Sequence, residues 1–389
     1  MADRTAAGPV VRDGSAKRSQ GARRPAAVNR RTLPSWRDTL EGYAFALPFL
    51  IVYAVFLLYP FFKGLWISLH EWNLLAVAFN PDAKVFVGLQ NYVDMLWGSD
   101  LTWNLTHQWL LRAIGLAVVI AVIMLWRQGR LGRSMMLLLS VSGVLIFGVA
   151  LGIHPGEEGR WFDRRFWGIV GNTLQFVLLT VPLITVLSLA FAMALNRRGP
   201  LAAGLRTAFF LSQVLSVTVV TLIWKVMLSP RQGIIANVTD ALGLGRIEWV
   251  TDPALAMLAI VVATVWWSIG LAMILFIAGL QEIPGELYEA ARIDGAGGWS
   301  IVRNITLPSL SRTVSLVVVL QIILHFQVFG QSHLITGGGP NDTTQVLVRY
   351  IYQTAFRNSD LGYASGLSMF LFATMLIFSL LQMTVQGRD

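Results

Sequence analysis

Few residues in this sequence could do chemistry, and they fall in two places. Gln321 and His325 stand four apart, which puts an amide and an imidazole on one helical face. Glu286, Glu289 and Asp294 lie in the polar stretch "ELYEAARIDGAGG", residues 286–298, between two long apolar runs. Planar amides and imidazoles hold hydroxyl groups by hydrogen bonds, but a single histidine is a poor proton relay. A lone carboxylate such as Glu289 can pair with a base on another surface. Cysteine is absent, so disulfides, thiolate metal sites and cysteine nucleophiles are excluded. No G-x-x-x-x-G-K-[ST] occurs either, so the chain is not itself a P-loop ATPase.

The elements that must position these groups follow from composition. The 389 residues are 55% hydrophobic and only 13% charged, against about 25% charged in a soluble domain. Apolar runs near 20 residues match the ~30 Å hydrocarbon core of a bilayer. The expected fold is therefore an all-α polytopic membrane protein. About eight spans are predicted, near 43–69, 109–126, 134–153, 169–195, 205–228, 254–280, 312–333 and 364–385. The short alternating strands of an outer-membrane barrel are not visible.

Much of the net charge of +9 lies in residues 1–41, an arm rich in arginine, alanine, glycine and proline that reads as disordered. It reads as a cytoplasmic retention signal under the positive-inside rule, with specific lipid or nucleic-acid binding as the other reading. The basic residues form no nucleic-acid face. Arg127, Arg130 and Arg133, then Arg197, Arg198 and Arg206, then Arg292, Arg303 and Arg312 fall in alternate loops. That asymmetry predicts both termini inside and places residues 281–308 on the inner side. Span interiors hold no acidic residue, and a proton- or sodium-coupled carrier usually places ionisable groups at mid-membrane.

Pro284 and Glu286 suit a helix start, and Gly295 suits a left-handed turn at its end. A second short helix is expected from about Gly298 to Asn304, before Pro308 opens the next span. Ala290, Ala291, Gly295, Ala296 and Gly297 present almost no bulk beside Glu289. Such a surface reads as a docking plug or as a plain solvated loop. In the spans, Gln213, Ser216, Thr218 and Thr221, with Trp266, Trp267 and Ser268, could line a sugar path or hydrogen-bond between helices.

The stretch "EAARIDGAGGWSIVRNITLP" resembles the EAA loop of binding-protein-dependent ABC importer permeases. Glu289, Ala290, Ala291, Asp294, Gly295, Ala296, Leu307 and Pro308 match that pattern in register. "FVGLQNY", "LIWKVMLSPRQGIIANVTDALGL", "ILFIAGLQEIP", "LITGGGPNDTTQVLVRYIYQTAF" and "LGYASGLS" are similar to the sugar-permease branch, near the maltose and glycerol-phosphate permeases.

The resemblance implies a permease core over 169–389, after a first helix and outer loop at 42–98. The inserted helical hairpin at 99–168 has no assigned role. It implies that residues 289–296 seat in a cytoplasmic ATPase and that Glu289 pairs with a base there. The implied partners are a second homologous permease, two ATPase subunits and an extracytoplasmic solute-binding protein. ATP and magnesium belong to the ATPase, so this chain binds no cofactor or metal and is not an enzyme. The implied location is the cytoplasmic membrane of a bacterium or archaeon. The cargo is a carbohydrate or related polyol. By position, Gln213, Val217, Ser268, Leu271, Gln321, His325 and Val328 match the sugar pocket of the maltose permease. The Gly337-Gly338-Gly339-Pro340 turn would shape the face that meets the binding protein.

Two departures stand out. Val302 replaces a usual aromatic residue, and Ser212 and Ser216 replace family prolines. A secondary carrier or a non-transporting scaffold are the rival readings, distinguished by their energy source and by the absence of an ATPase partner.

Overall fold

The structure, a computed structural model, describes residues 36–96, scattered positions between 113 and 128, and 165–386 apart from Leu244. The basic arm up to residue 35, the span expected at 134–153, and much of the span expected at 109–126 and of the hairpin 99–168 lie outside the described residues. The chain divides into two units, Met1–Tyr59 and Pro60–Asp389.

In the first unit, α1 (Trp36–Tyr53) is followed by a π turn, Ala54–Leu58. Its apolar side chains point outward on all sides, with Phe45 90% and Phe56 76% exposed. A helix apolar all round needs a nonaqueous surround.

The second unit begins with α2 (Tyr59–Ile67, whose first residue closes the preceding unit) and a two-strand ribbon, β1 (His70–Glu71) with β2 (Val85–Phe86). The strands pair antiparallel, His70 with Phe86 and Glu71 with Val85. Between them lies α3 (Leu74–Phe79), capped by the Asn73 side chain, and after them α4 (Gln90–Leu96). Buried Asn91 of α4 donates to the carbonyls of Ser68 and His70, at 2.8 and 3.1 Å, and so holds the ribbon to the helix.

The remaining helices are α5 (Phe166–Leu195), α6 (Pro200–Val214), α7 (Val217–Met227), α8 (Ile234–Ala241), α9 (Pro253–Glu282), α10 (Gly285–Ile293), α11 (Gly298–Ile301), α12 (Leu307–Ser309), α13 (Ser311–Phe326), α14 (Leu347–Tyr352) and α15 (Leu361–Gln386). The core sits where α9 packs on α5 and α6, and where α13 packs on α5. Phe176, Ile184, Ile260, Met273, Phe276 and Val317 are buried there. α9 carries buried residues from Ala256 to Leu280, many of them Ala or Gly. Small side chains let helix backbones approach closely where lipid gives no hydrophobic drive. Span hydroxyls are largely satisfied within their own helix. Thr264 donates to Ile260 O at 2.7 Å and Thr221 to Val217 O at 2.8 Å.

Four helical segments are long and apolar enough to cross a membrane: Tyr43–Ile67, Phe166–Leu195, Pro253–Glu282 and Leu361–Ser379. Two bent pairs raise the number to six among the described residues. Two expected spans are therefore corrected in shape. The run 205–228 is α6 and α7, bent by 101°. The run expected at 312–333 is α13, which ends at Phe326, and it meets the Gly298–Ser309 segment at 68°. The span opens at Ser311, not at Pro308, because Pro308 belongs to the short α12 and the helix breaks at Leu310.

Candidate functional site

The stretch that joins α9 to α13 is built as two short helices around one glycine. Pro284 precedes α10, and Glu286 stands in its first turn and Arg292 in its last, each at the helix end whose partial charge it complements. The helix closes on Gly295 at φ +76°. The Ala296 amide donates to Ala291 O at 2.9 Å and the Gly295 amide to Arg292 O at 3.1 Å. These two bonds form a Schellman closure, which requires a left-handed residue at the position Gly295 holds.

Beyond it, α11 runs into a π turn over Val302–Thr306, and the Tyr288 hydroxyl lies 3.3 Å from Thr306 Oγ1. That contact ties the first short helix to the base of the second. Glu289, Ala290, Asp294 and Gly295 are exposed, and Ala291 and Ala296 are half-buried. Ile293 and Trp299 are 85% and 75% exposed, so the loop offers apolar side chains as well as Glu289. Glu289 joins no ion pair among the described residues. The structure thus brings all six loop residues together on one surface projection.

The second group surrounds the break between α6 and α7. Leu215 and Ser216 are extended, at ψ 138° and 148°. Ser216 Oγ accepts from the Val219 amide and caps α7. Ser212 Oγ donates to Phe209 O at 2.8 Å and lies 3.3 Å from Trp267 O. Trp267 Nε1 donates to the freed Leu215 carbonyl at 3.2 Å. The chain thus breaks there, without a proline, through serine capping and a tryptophan hydrogen bond.

Gln213 ends α6 and Val217 begins α7. Val217 packs on Gly330, so closely that a Cβ at Gly330 would strike its side chain. Ser268 is buried and Leu271 half-buried on α9, next to the Trp266–Trp267 pair that holds the break. Val328 is buried two residues before Gly330. Gln321 and His325 lie on the buried face of α13, and the Val328 amide donates to His325 O at 3.3 Å. His325 Nδ1 is 2.7 Å from Gln321 O, and its ring centroid is 6.1 Å from that of Phe176 on α5. No hydrogen bond or ring contact among the described residues joins this pair to Gln213 or Ser268.

The amide oxygens of Gln213 and Gln321 are both buried without a hydrogen-bond partner. Leaving such a group unpaired costs about 1–3 kcal/mol. Each is able to accept from a ligand hydroxyl.

A third polar group follows the Gly337–Pro340 turn, and only the turn itself was noticeable in the sequence. Gly337 and Gly338 take φ of +65° and +82°. Thr344 Oγ1 donates to Gly339 O at 2.7 Å and so pins the turn. Gln331, Ser332, Thr344, Gln345 and Arg349 are all buried beside it. Burial, foremost, and the Arg357 charge hold the Arg349 guanidinium below its ordinary value; Asp342 pulls it back up and Arg165 adds to the depression. Asp342 is already bonded to Arg165 at 2.7 Å. The signal that could have revealed Arg349 is a lone charge inside the apolar run "VLVRYIY".

A family model described as "Binding-protein-dependent transport system inner membrane component" matches residues 148–388. The chain is 29% identical over 349 residues to the probable ABC transporter permease protein YurN of Bacillus subtilis, a match that covers 89% of this chain and 96% of the relative. It is 27% identical over 350 residues to the trehalose/maltose transport system permease protein MalF of Thermococcus litoralis, covering 90% and 95%. A chain from the crystal structure of a bacterial alginate ABC transporter, in complex with an alginate pentasaccharide-bound periplasmic protein, superposes with a TM-score of 0.51 at 21% identity. That alignment covers 73% of this chain and 96% of the other, and at this identity it speaks for the fold alone.

Proposed function

The chain belongs to the family of binding-protein-dependent transport system inner membrane components, and from that premise we propose that it is a permease subunit of an ABC importer that carries a carbohydrate through the membrane. The family match from 148 to 388 carries this reading, since it spans the exposed loop, both bent helix pairs and the buried amides. Carbohydrate as cargo is supported by the relative named for trehalose/maltose transport. Two unpaired buried amide oxygens suit hydroxyl-rich cargo.

The permease makes and breaks no covalent bond. A second permease completes the path, ATPase subunits hydrolyse ATP, and a solute-binding protein delivers cargo. In this assembly α10, Gly295 and α11 dock on the ATPase on the inner side, where both termini also lie. Glu289 supplies the charge that pairs with a base there, and Ile293 and Trp299 supply apolar cover. Closure of the ATPase then moves α9 and α13 through the loop that joins them. Gln213, Val217, Ser268, Leu271, Gln321, His325 and Val328 line the carbohydrate path when the second permease is in place. Described span interiors hold no carboxylate that could couple uptake to protons.

The chain has no native cysteine, so single cysteines report cleanly. Glu289→Cys and Ala296→Cys in the reconstituted importer are expected to crosslink to the ATPase, and cargo-loaded binding protein is expected to stimulate ATP hydrolysis. Labelling of both positions only from the binding-protein side refutes the assignment.

The amide of Gln321 gives a second prediction. Gln321→Met keeps the side-chain volume and removes the unpaired oxygen. Its thermal midpoint should hold or rise, because a buried orphan acceptor is gone. Uptake should show a KM raised by about tenfold, the worth of one hydrogen bond of about 1.4 kcal/mol. A lower midpoint with unchanged KM would mark the amide as structural.

A further inference from the structure

Arg349 is a buried cation with no direct ion pair of its own among the described residues, and the Asp342 carboxylate that acts on it is taken by Arg165. Arg349 is 8% exposed, and its Nε has no hydrogen-bond partner. Gln345 is fully buried beside it, and its Oε1 is likewise unpartnered, while its Nε2 donates to Gln353 Oε1 at 3.0 Å. The two orphans converge. A Cβ built on Gly338 would collide with both Arg349 Nη1 and Gln345 Oε1, so glycine there leaves a donor and an acceptor side by side. Aromatic rings lie on the adjoining turns. His333 stacks on Phe329, with centroids 4.8 Å apart, and its ring is 5.4 Å from that of Tyr352. Tyr352 lies one turn beyond Arg349 on the same face of α14 and is 38% exposed.

A buried guanidinium is stable only when paired. A carboxylate side chain from a neighbouring protein would satisfy Arg349 but leave Gln345 Oε1 without a donor. A sugar acid satisfies both: its carboxylate takes the guanidinium, a hydroxyl donates to the amide oxygen, and its apolar ring face can lie on an aromatic ring. We propose that Arg349 and Gln345, at the Gly338 turn, form a binding subsite for the carboxylate and adjoining hydroxyl of an acidic sugar. The subsite lies at the end of α13 opposite the α10–α11 loop, which is the cargo-entry side in the importer reading. It deepens that reading and rests on it for its place in transport.

The test is equilibrium binding of radiolabelled glucuronate and glucose to the full permease–ATPase complex in lipid nanodiscs, without binding protein. Glucuronate is expected to bind at least about tenfold more tightly than glucose, the scale of a charge-assisted hydrogen bond. Arg349→Gln should remove that preference. Gln345→Glu supplies the missing anion within the chain. It should raise the thermal midpoint and abolish glucuronate binding, and this variant tests the site even if Arg349→Gln fails to fold.

Equal binding of the two sugars, no glucuronate binding, or glucuronate binding unchanged in Gln345→Glu each overturns the proposal. Binding of a glutamate-rich peptide in place of glucuronate overturns it in favour of a protein carboxylate. None of these results touches the crosslinks from positions 289 and 296, so failure of the importer reading shows separately.

Discussion

Gly295→Val is expected to reduce uptake to background while the protein still inserts and folds. Nothing lies within 4 Å of a Cβ built on Gly295, so valine meets no neighbour. The only local cost is backbone, since φ is +76° and a β-branched residue resists that region. That cost is about 1–2 kcal/mol, which a folded membrane domain survives. The chain can avoid it by leaving the left-handed conformation. The Schellman bonds from Ala296 to Ala291 and from Gly295 to Arg292 are then lost, and α11 swings away from α10.

If that pair of helices is the surface that the ATPase grips, a local change of φ becomes a global loss of coupling. Gly295→Asn is the companion variant. Asparagine tolerates the left-handed region better than other side chains, so uptake should be partly retained. The measurements are uptake, thermal midpoint and crosslinking from position 289 in the same preparations. Normal uptake by Gly295→Val removes the coupling role from this turn.

That turn was legible in the sequence because its causes are local. Proline before α10, a glutamate in the first turn and a glycine after Ile293 each act within a few residues. The long spans α5 and α9 were legible for a similar reason. Each is 30 residues of nearly unbroken apolar sequence, and only a helix satisfies its backbone in lipid.

The break at Leu215 was not legible. "FFLSQVLSVTVVTLIW" holds neither proline nor glycine and reads as one continuous span. What stabilises the bend is Trp267 Nε1 on the Leu215 carbonyl, a bond from 52 residues away. A serine that can cap α7 is also common inside helices, so Ser216 alone signals nothing. The end of α13 at Phe326 was missed likewise, since "QVFGQSHLI" stays apolar enough to extend a span. Arg349 was not legible either, since arginines are mostly exposed, and only the packed turn at Gly338 shows that it is enclosed.

The bend at Leu215 depends on how closely α6 lies on α9, and Gly270→Ala should damage this fold severely for one added carbon. A Cβ at Gly270 would overlap the Phe209 carbonyl oxygen and come within 2.8 Å of Phe209 C and 2.9 Å of Phe210 Cα. These are backbone atoms inside α6, so no rotamer change relieves them. α6 must move as a body. Alanine is the better helix former by about 1 kcal/mol, so propensity alone predicts stabilisation. Overpacking against backbone costs about 1–3 kcal/mol or more, and here it should exceed the propensity gain.

Displacing α6 also pulls Ser212 from the Trp266 and Trp267 carbonyls and Leu215 from Trp267 Nε1. The bend that places Gln213 and Val217 would then relax. Gly171→Ala on α5 is the matched control, because nothing lies within 4 Å of its Cβ. Thermal midpoints of both purified variants decide the matter. Gly171→Ala should hold or rise, and Gly270→Ala should fall clearly below the parent, with uptake lost in parallel. Equal midpoints would mean that α6 does not approach α9 this closely, and that close packing of the two helices is not what sustains the bend.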